Sequence, residues 1–180
     1  IFCNLPTSAY VSNKNRNVFD LQHFINSPAI YTSELHKYLP STNMLISAHY
    51  WDPKSPRLFE KKDIEKYNNL KVIGDITCDV NGSIPTTSRP STILDPYYYL
   101  DRTTLQEVSQ NNHALAIMAV DNLPSELPKD SSKEFGDGIV KEVLPYILEN
   151  DDGRIKRATI TKNGDFLPSY KYLINYINAT

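Results

Sequence analysis

Glycine is scarce in this chain, six residues in 180, and the shortage removes the commonest sequence signal for nucleotide binding. The single G-x-G, Gly136-Asp137-Gly138, lacks a third glycine and falls inside a helical pattern. A phosphate cradle needs a tight glycine turn where a strand enters a helix. Cysteine is scarcer still. Cys3 and Cys78 stand alone, and His23, His36, His49 and His113 are scattered, so no spacing suits a metal site. Two thiols on apparent strands read as reduced core cysteines and suit a cytoplasmic location. No apolar run approaches the ~18–20 residues that span a bilayer. A formal net charge of −2, with both signs interspersed, gives no pull toward nucleic acid or an anionic membrane. No serine nucleophile elbow and no cysteine–histidine pairing can be read from the spacing.

What the chain does have is concentrated in residues 71–79, KVIGDITCD, and the loop NGSIPTTSRP behind them. Val72, Ile73, Ile76 and Thr77 make a β-branched run too short for a helix and interrupted by Gly74. It reads as a buried strand ending in polar loop chemistry. In open α/β sheets, ligands lie beyond the carboxyl ends of strands. Asp75 and Asp79 are thereby delivered to the edge of a cleft, the plain alternative being that Asp79 is a turn residue. Cys78 sits beside a carboxylate, which raises a thiol pKa, and reads as a packing residue.

Three further strands are expected, over residues 1–5, 43–50 and 113–121, with a short broken one over 92–100. Tyr31, Leu35, Tyr38 and Leu39 fall on one helical face after Ser27-Pro28, and residues 58–68 suggest a short helix. Ser125 is placed to cap a helix carrying Phe135, Ile139, Val143 and Ile147. Residues 150–153 form a loop, and Tyr170, Leu173, Ile174 and Ile177 have the spacing of a terminal amphipathic helix. Strands alternating with helices argue for an α/β fold, a mostly parallel sheet with flanking helices. His49, Tyr50 and Trp51 at a strand end either wall a flat ring system or close a hydrophobic corner against Pro53. Tyr97, Tyr98 and Tyr99 read as core and rim packing, since no basic groove accompanies them.

Three blocks taken together carry a resemblance: LISAHYWDPKSPRLF (45–59), VIGDITCDVNGSI (72–84) and MAVDNLPSELPKDSSKEFGD (118–137). In this order and spacing the chain is similar to the C-terminal part of the alanine dehydrogenase/transhydrogenase superfamily. The similarity is nearest to its lysine–ketoglutarate reductase and saccharopine dehydrogenase branch. The opening IFCNLPTSAYV and the segment TILDPYYYLD add to it. The resemblance implies an enzyme of two Rossmann-like domains, each a mostly parallel sheet with flanking helices, that uses NAD or NADP in the cleft between them. Residues 1–150 would be the C-terminal portion of the nucleotide domain, and 151–180 a helical segment returning toward a missing N-terminal domain. The glycine-rich turn and the acid/base residues would precede Ile1.

Carried over position by position, Ala48, His49 and Tyr50 would line the adenosine side. Ile76, Thr77, Cys78 and Asp79 would border the ribose and nicotinamide, with Asp79 as the catalytic candidate. Val120, Asp121, Asn122 and Leu123 would approach the nicotinamide from the neighbouring strand. The implied reaction is hydride transfer at a C–N bond of a lysine, 2-oxoglutarate or saccharopine class substrate, and a homo-oligomer is compatible with it. This chain alone is expected to be inactive. The alternatives are an alanine dehydrogenase-like enzyme, or a non-catalytic half-domain that packs on a partner chain.

Overall fold

Residues 1–6 join no strand among the described residues, and Ile1, Phe2 and Cys3 are exposed. The strand expected over residues 1–5 therefore does not form, because Pro6 closes the run and no neighbour offers it a ladder. Cys3 is accordingly no core thiol, and both cysteines are free. The computed structural model describes residues 1–177, and the last three positions of the 151–180 segment lie outside the described residues. Backbone packing separates two units, Ile1–Leu123 and Pro124–Thr180.

In the first unit, α1 (Thr7–Tyr10) leads into β1 (Val11–Asn13), which pairs antiparallel with β2 (Tyr31–Ser33). Between them lies α2 (Leu21–Asn26), capped by the Asp20 carboxylate, which accepts a 2.6 Å bond from the His23 amide. The expected helix over 28–39 is replaced by β2 and short 3-10 turns, although Tyr31, Leu35 and Leu39 are all buried. Ser33 explains part of the difference. Its hydroxyl accepts from the Leu35 amide and donates to the Leu58 carbonyl at 2.6 Å, bonds that compete with helix formation.

The principal sheet has five strands: β3 (Met44–Ser47), β4 (Val72–Asp75), β5 (Tyr97–Leu100), β6 (Glu107–Val108) and β7 (Leu115–Met118). Their order is β3-β4-β7-β5-β6. The first three are parallel, with Ser47 opposite Asp75 and Gly74 opposite Met118. β5 and β6 are antiparallel, so the sheet is mixed. The chain passes from β5 to β6 as an antiparallel hairpin and then, with no helix between, to β7, which pairs antiparallel with β5 on its other side.

Ile73, Leu100, Leu115 and Ile117 point into one core with Leu39, Ile64, Leu70 and Ile84. The opposite face is open: Met44, Ile46 and Tyr97 are 58%, 61% and 51% exposed. Residues 61–66 form a 3-10 turn where a helix was expected. Arg102 ties that turn to the sheet, its guanidinium donating to the carbonyls of Tyr67 (3.2 Å), Leu70 and His113 (2.7 Å).

The second unit contains α3 (Pro128–Glu142), α4 (Leu144–Leu148), α5 (Arg154–Ala158), the hairpin β8 (Thr161–Lys162) and β9 (Asp165–Phe166), and α6 (Ile174–Ile177). Ser125 does not cap α3. It lies in a 3-10 turn, and Pro128 starts the helix instead. The apolar row from Phe135 to Ile147 is split between α3 and α4, because Pro145 cannot extend the first helix. The terminal row is likewise divided between a 3-10 turn, Pro168–Leu173, and α6. Nor is the segment after residue 150 purely helical. Asn163 (φ 54°) and Gly164 (φ 88°) make the two-residue turn that the β8–β9 hairpin requires.

Ile117→Ala, at a site with no exposure, is expected to cost about 2–5 kcal/mol. Ile46→Ala on the open face should stay within ~0.5 kcal/mol. Urea denaturation of both variants measures the difference.

Candidate functional site

Parallel pairing makes β3, β4 and β7 release their chains at one edge of the sheet. Ala48, His49 and Tyr50 leave from β3, Ile76, Thr77, Cys78 and Asp79 from β4, and Val120, Asp121, Asn122 and Leu123 from beyond β7. Cross-links hold these ends together. The Ile76 amide donates to the Ser47 carbonyl at 2.8 Å, and the Cys78 thiol lies 3.2 Å from the Val120 carbonyl. Ser91 adds a parallel bridge to Val120, and its hydroxyl accepts from the Ala119 amide at 2.9 Å.

Exposure sorts the candidates. Ala48, Tyr50, Ile76, Asp79, Asp121 and Asn122 face solvent; His49, Thr77, Cys78 and Leu123 are half-buried; Val120 is buried. The aromatic corner divides accordingly. Trp51 closes it by donating its indole N–H to the Pro56 carbonyl at 3.3 Å, while Tyr50 projects outward.

The two aspartates after Gly74 have opposite fates. Asp75 is wholly buried on the core face. Its Oδ1 accepts from the Thr77 amide (3.1 Å) and hydroxyl (2.6 Å), and its Oδ2 from the Thr87 hydroxyl (2.6 Å). An aspartate two residues before a threonine is a turn signal legible in sequence, but the third partner, Thr87, is not. Asp79 stands exposed on a turn closed by the Gly82 amide, which donates to the Asp79 carbonyl at 2.8 Å. A Cβ at Gly82 would collide with the Asp79 side chain and lie 2.8 Å from that carbonyl oxygen. Cys78 (φ 57°) and Asn81 (φ 53°) take left-handed conformations on either side. Arg57 and Lys61 buttress the turn through the Asn81 backbone carbonyl (3.0 Å) and side-chain carbonyl (2.6 Å).

Charge at this edge is negative. Burial raises the Cys78 thiol pKa, and Asp75, Asp121 and Asp79 push it the same way, so the thiol is a poor nucleophile. His49, whose Nδ1 lies 3.1 Å from the Ser47 hydroxyl, is moved below its ordinary 6.5 by burial, against an opposing pull from Asp75 and Asp79. Two cavities lie elsewhere. One of about 460 Å³ is walled by Lys14, Tyr31, His36, Arg57 and Phe59, and one of about 530 Å³ by Lys71, Val72, Tyr99 and Ala116 at the opposite strand ends. Among the described residues no cluster of His, Cys, Asp or Glu suits a metal ion, and no helix is long and apolar enough to cross a membrane.

A histidine held neutral by folding stabilises the fold above its unfolded pKa. That contribution is lost as pH falls from about 6.5 toward the folded value. The His49 imidazole should therefore titrate below 6.5 by NMR, and Asp79→Asn, which removes an opposing negative charge, should lower the midpoint further.

The family described as alanine dehydrogenase/PNT, C-terminal domain, matches residues 11–165. The alpha-aminoadipic semialdehyde synthase of Arabidopsis thaliana is 29% identical over 95% of this chain, which spans 17% of that protein. The mitochondrial alpha-aminoadipic semialdehyde synthase of Mus musculus is 27% identical over 91% of the chain, and that of Rattus norvegicus matches equally. The chain spans 21% of each of those two, so it corresponds to about a fifth of the relatives' length. With most of its residues inside the matched region, the chain belongs to the alanine dehydrogenase/PNT C-terminal domain family.

Proposed function

We propose that this chain is the nicotinamide-facing part of an NAD- or NADP-dependent amino-acid oxidoreductase of the saccharopine dehydrogenase and lysine–ketoglutarate reductase kind. The observation that carries the reading is the shared edge of three parallel strands, from which exposed Ala48, Ile76, Asp79 and Asn122 all leave. Apolar groups along an edge that also carries exposed carboxylates suit a nicotinamide ring and a cationic amine or imine. The fit covers the ring side only. Gly136 and Gly138 lie within α3, away from any strand–helix junction, so this G-x-G offers no phosphate cradle. When bound, the nicotinamide supplies the hydride chemistry. Ala48, His49 and Tyr50 would border the adenosine side, Ile76 to Asp79 the ribose and ring, and Val120 to Leu123 the ring's other flank.

In this reading residues 1–150 belong to the nucleotide domain and 151–180 lead toward a second domain, supplied by the rest of a longer polypeptide. The substrate belongs to the lysine, 2-oxoglutarate and saccharopine class, in keeping with relatives named alpha-aminoadipic semialdehyde synthase. A reducing compartment such as the cytoplasm suits two free thiols.

In the full-length enzyme Asp79→Asn should cut kcat more than about tenfold at an unchanged Tm. A charge-assisted hydrogen bond is worth ~1.5–3 kcal/mol, and ~1.4 kcal/mol of barrier is a factor of ten. Unchanged kcat and kcat/KM would reduce Asp79 to a turn residue, since Asn serves turns equally well. The 180-residue chain purified alone should show no dehydrogenase turnover with any amino acid. Turnover there would overturn the division of labour between this chain and the rest of the enzyme.

A further inference from the structure

We infer that Asp75 is a positioning residue whose carboxylate clamps both legs of the loop that presents Asp79, and that it acts on the chemistry only through that loop. The inference rests on the reading that Asp79 meets the reacting groups. Its structural part stands on burial and geometry. A carboxylate with no exposure must be surrounded by donors, or it would not remain in place. The donors found are not spread over the core. Thr77 is two residues along the outgoing leg, and Thr87 is twelve residues on, where the chain returns.

Between those points the loop closes on itself. The Asn81 amide donates to the Thr87 carbonyl at 2.8 Å, and the Gly82 amide to that of Asp79 at 2.8 Å. Ser83, Ile84, Pro85, Thr86 and Thr87 are all buried, so the returning leg is fixed to the core while the tip around Asp79 faces solvent. Asp75 is thus the point at which β4, the tip and the returning leg are joined. Nothing places its own oxygens at the exposed edge, because both are occupied from within.

The test removes one bond without removing the carboxylate. Thr87→Val keeps the β-branched shape and loses the donor to Asp75 Oδ2, and Thr87→Ser keeps the donor. Amide hydrogen exchange of the full-length protein should show residues 77–82 opening at least about tenfold faster in Thr87→Val, with β7 protection unchanged and Thr87→Ser near wild type. In kinetics, Thr87→Val should lower kcat while leaving KM for the nucleotide within about threefold, and adding it to Asp79→Asn should cost little more, because the two act in series. Unchanged exchange at 77–82, or loss of protection throughout the sheet, would overturn the clamp. Additive losses in the double variant would show that Asp75 and Thr87 act independently of Asp79 and would overturn the positioning role. A silent Asp79→Asn would overturn the proposed function and the catalytic half of this inference, while the exchange data alone would still decide whether the loop is clamped.

Discussion

Burying a carboxylate at the end of a central strand constrains everything around it. Asp75 has no contact with water, and an ionised group in that position is tolerable only with several donors aimed at it. The chain meets the demand locally, with Thr77, and at a distance, with Thr87. Satisfying the second donor pulls the sequence Gly82–Thr87 under the sheet edge, and the tip beyond it has little freedom left. The left-handed Cys78 and Asn81, and a glycine at 82 where a methyl group would collide with Asp79, follow from the same short path. Two hydroxyls on that buried leg, of Ser83 and Thr86, have no partner among the described residues, a sign of how tightly the leg is drawn inward.

The electrostatic character of the edge follows from this arrangement. Carboxylates at 75, 79 and 121 surround the strand ends, and the groups among them respond in opposite senses. Burial holds His49 neutral, and the nearby negative charges only partly offset it. The same charges add to burial in keeping the Cys78 thiol protonated. The edge therefore presents exposed carboxylates, Asp79 and Asp121, beside a histidine and a thiol that are neutral at physiological pH. Away from this edge, Arg102 does for the 3-10 turn what a capping residue does for a helix, donating to the carbonyls of Tyr67 and Leu70 where the turn ends.

Most of the sheet was legible in residues 43–50, 71–79 and 113–121, because β-branched and aliphatic runs of strand length carry their own signal. Residues 1–5 had the same look and failed, since pairing depends on a neighbour that composition does not reveal. The row Tyr31, Leu35 and Leu39 was read correctly as buried but assigned the wrong backbone, as 3-10 turns and a strand can bury the same positions. Asn163-Gly164 was a readable hairpin signal that the apolar spacing beyond it obscured. At the candidate site, the edge rule alone pointed to Asp75 and Asp79, and the other strand-end residues were named through the family resemblance. Thr87 could not be named, because its partner lies across a loop whose polar composition suggested exposure while the structure buries it.

The strand order also has a consequence for how the molecule comes to be assembled. Within the five-stranded sheet the most local pairing is β5–β6, closed by Asp101, whose carboxylate accepts from the amides of Thr103 (3.0 Å) and Thr104 (2.7 Å). Every pairing of β4 joins segments far apart in the chain, so the loop-closure entropy must be met before the ladder yields anything. Proteins dominated by such contacts fold slowly and expose apolar strand surface while they wait. Here that surface includes the Met44–Ser47 edge strand, which has no second neighbour among the described residues.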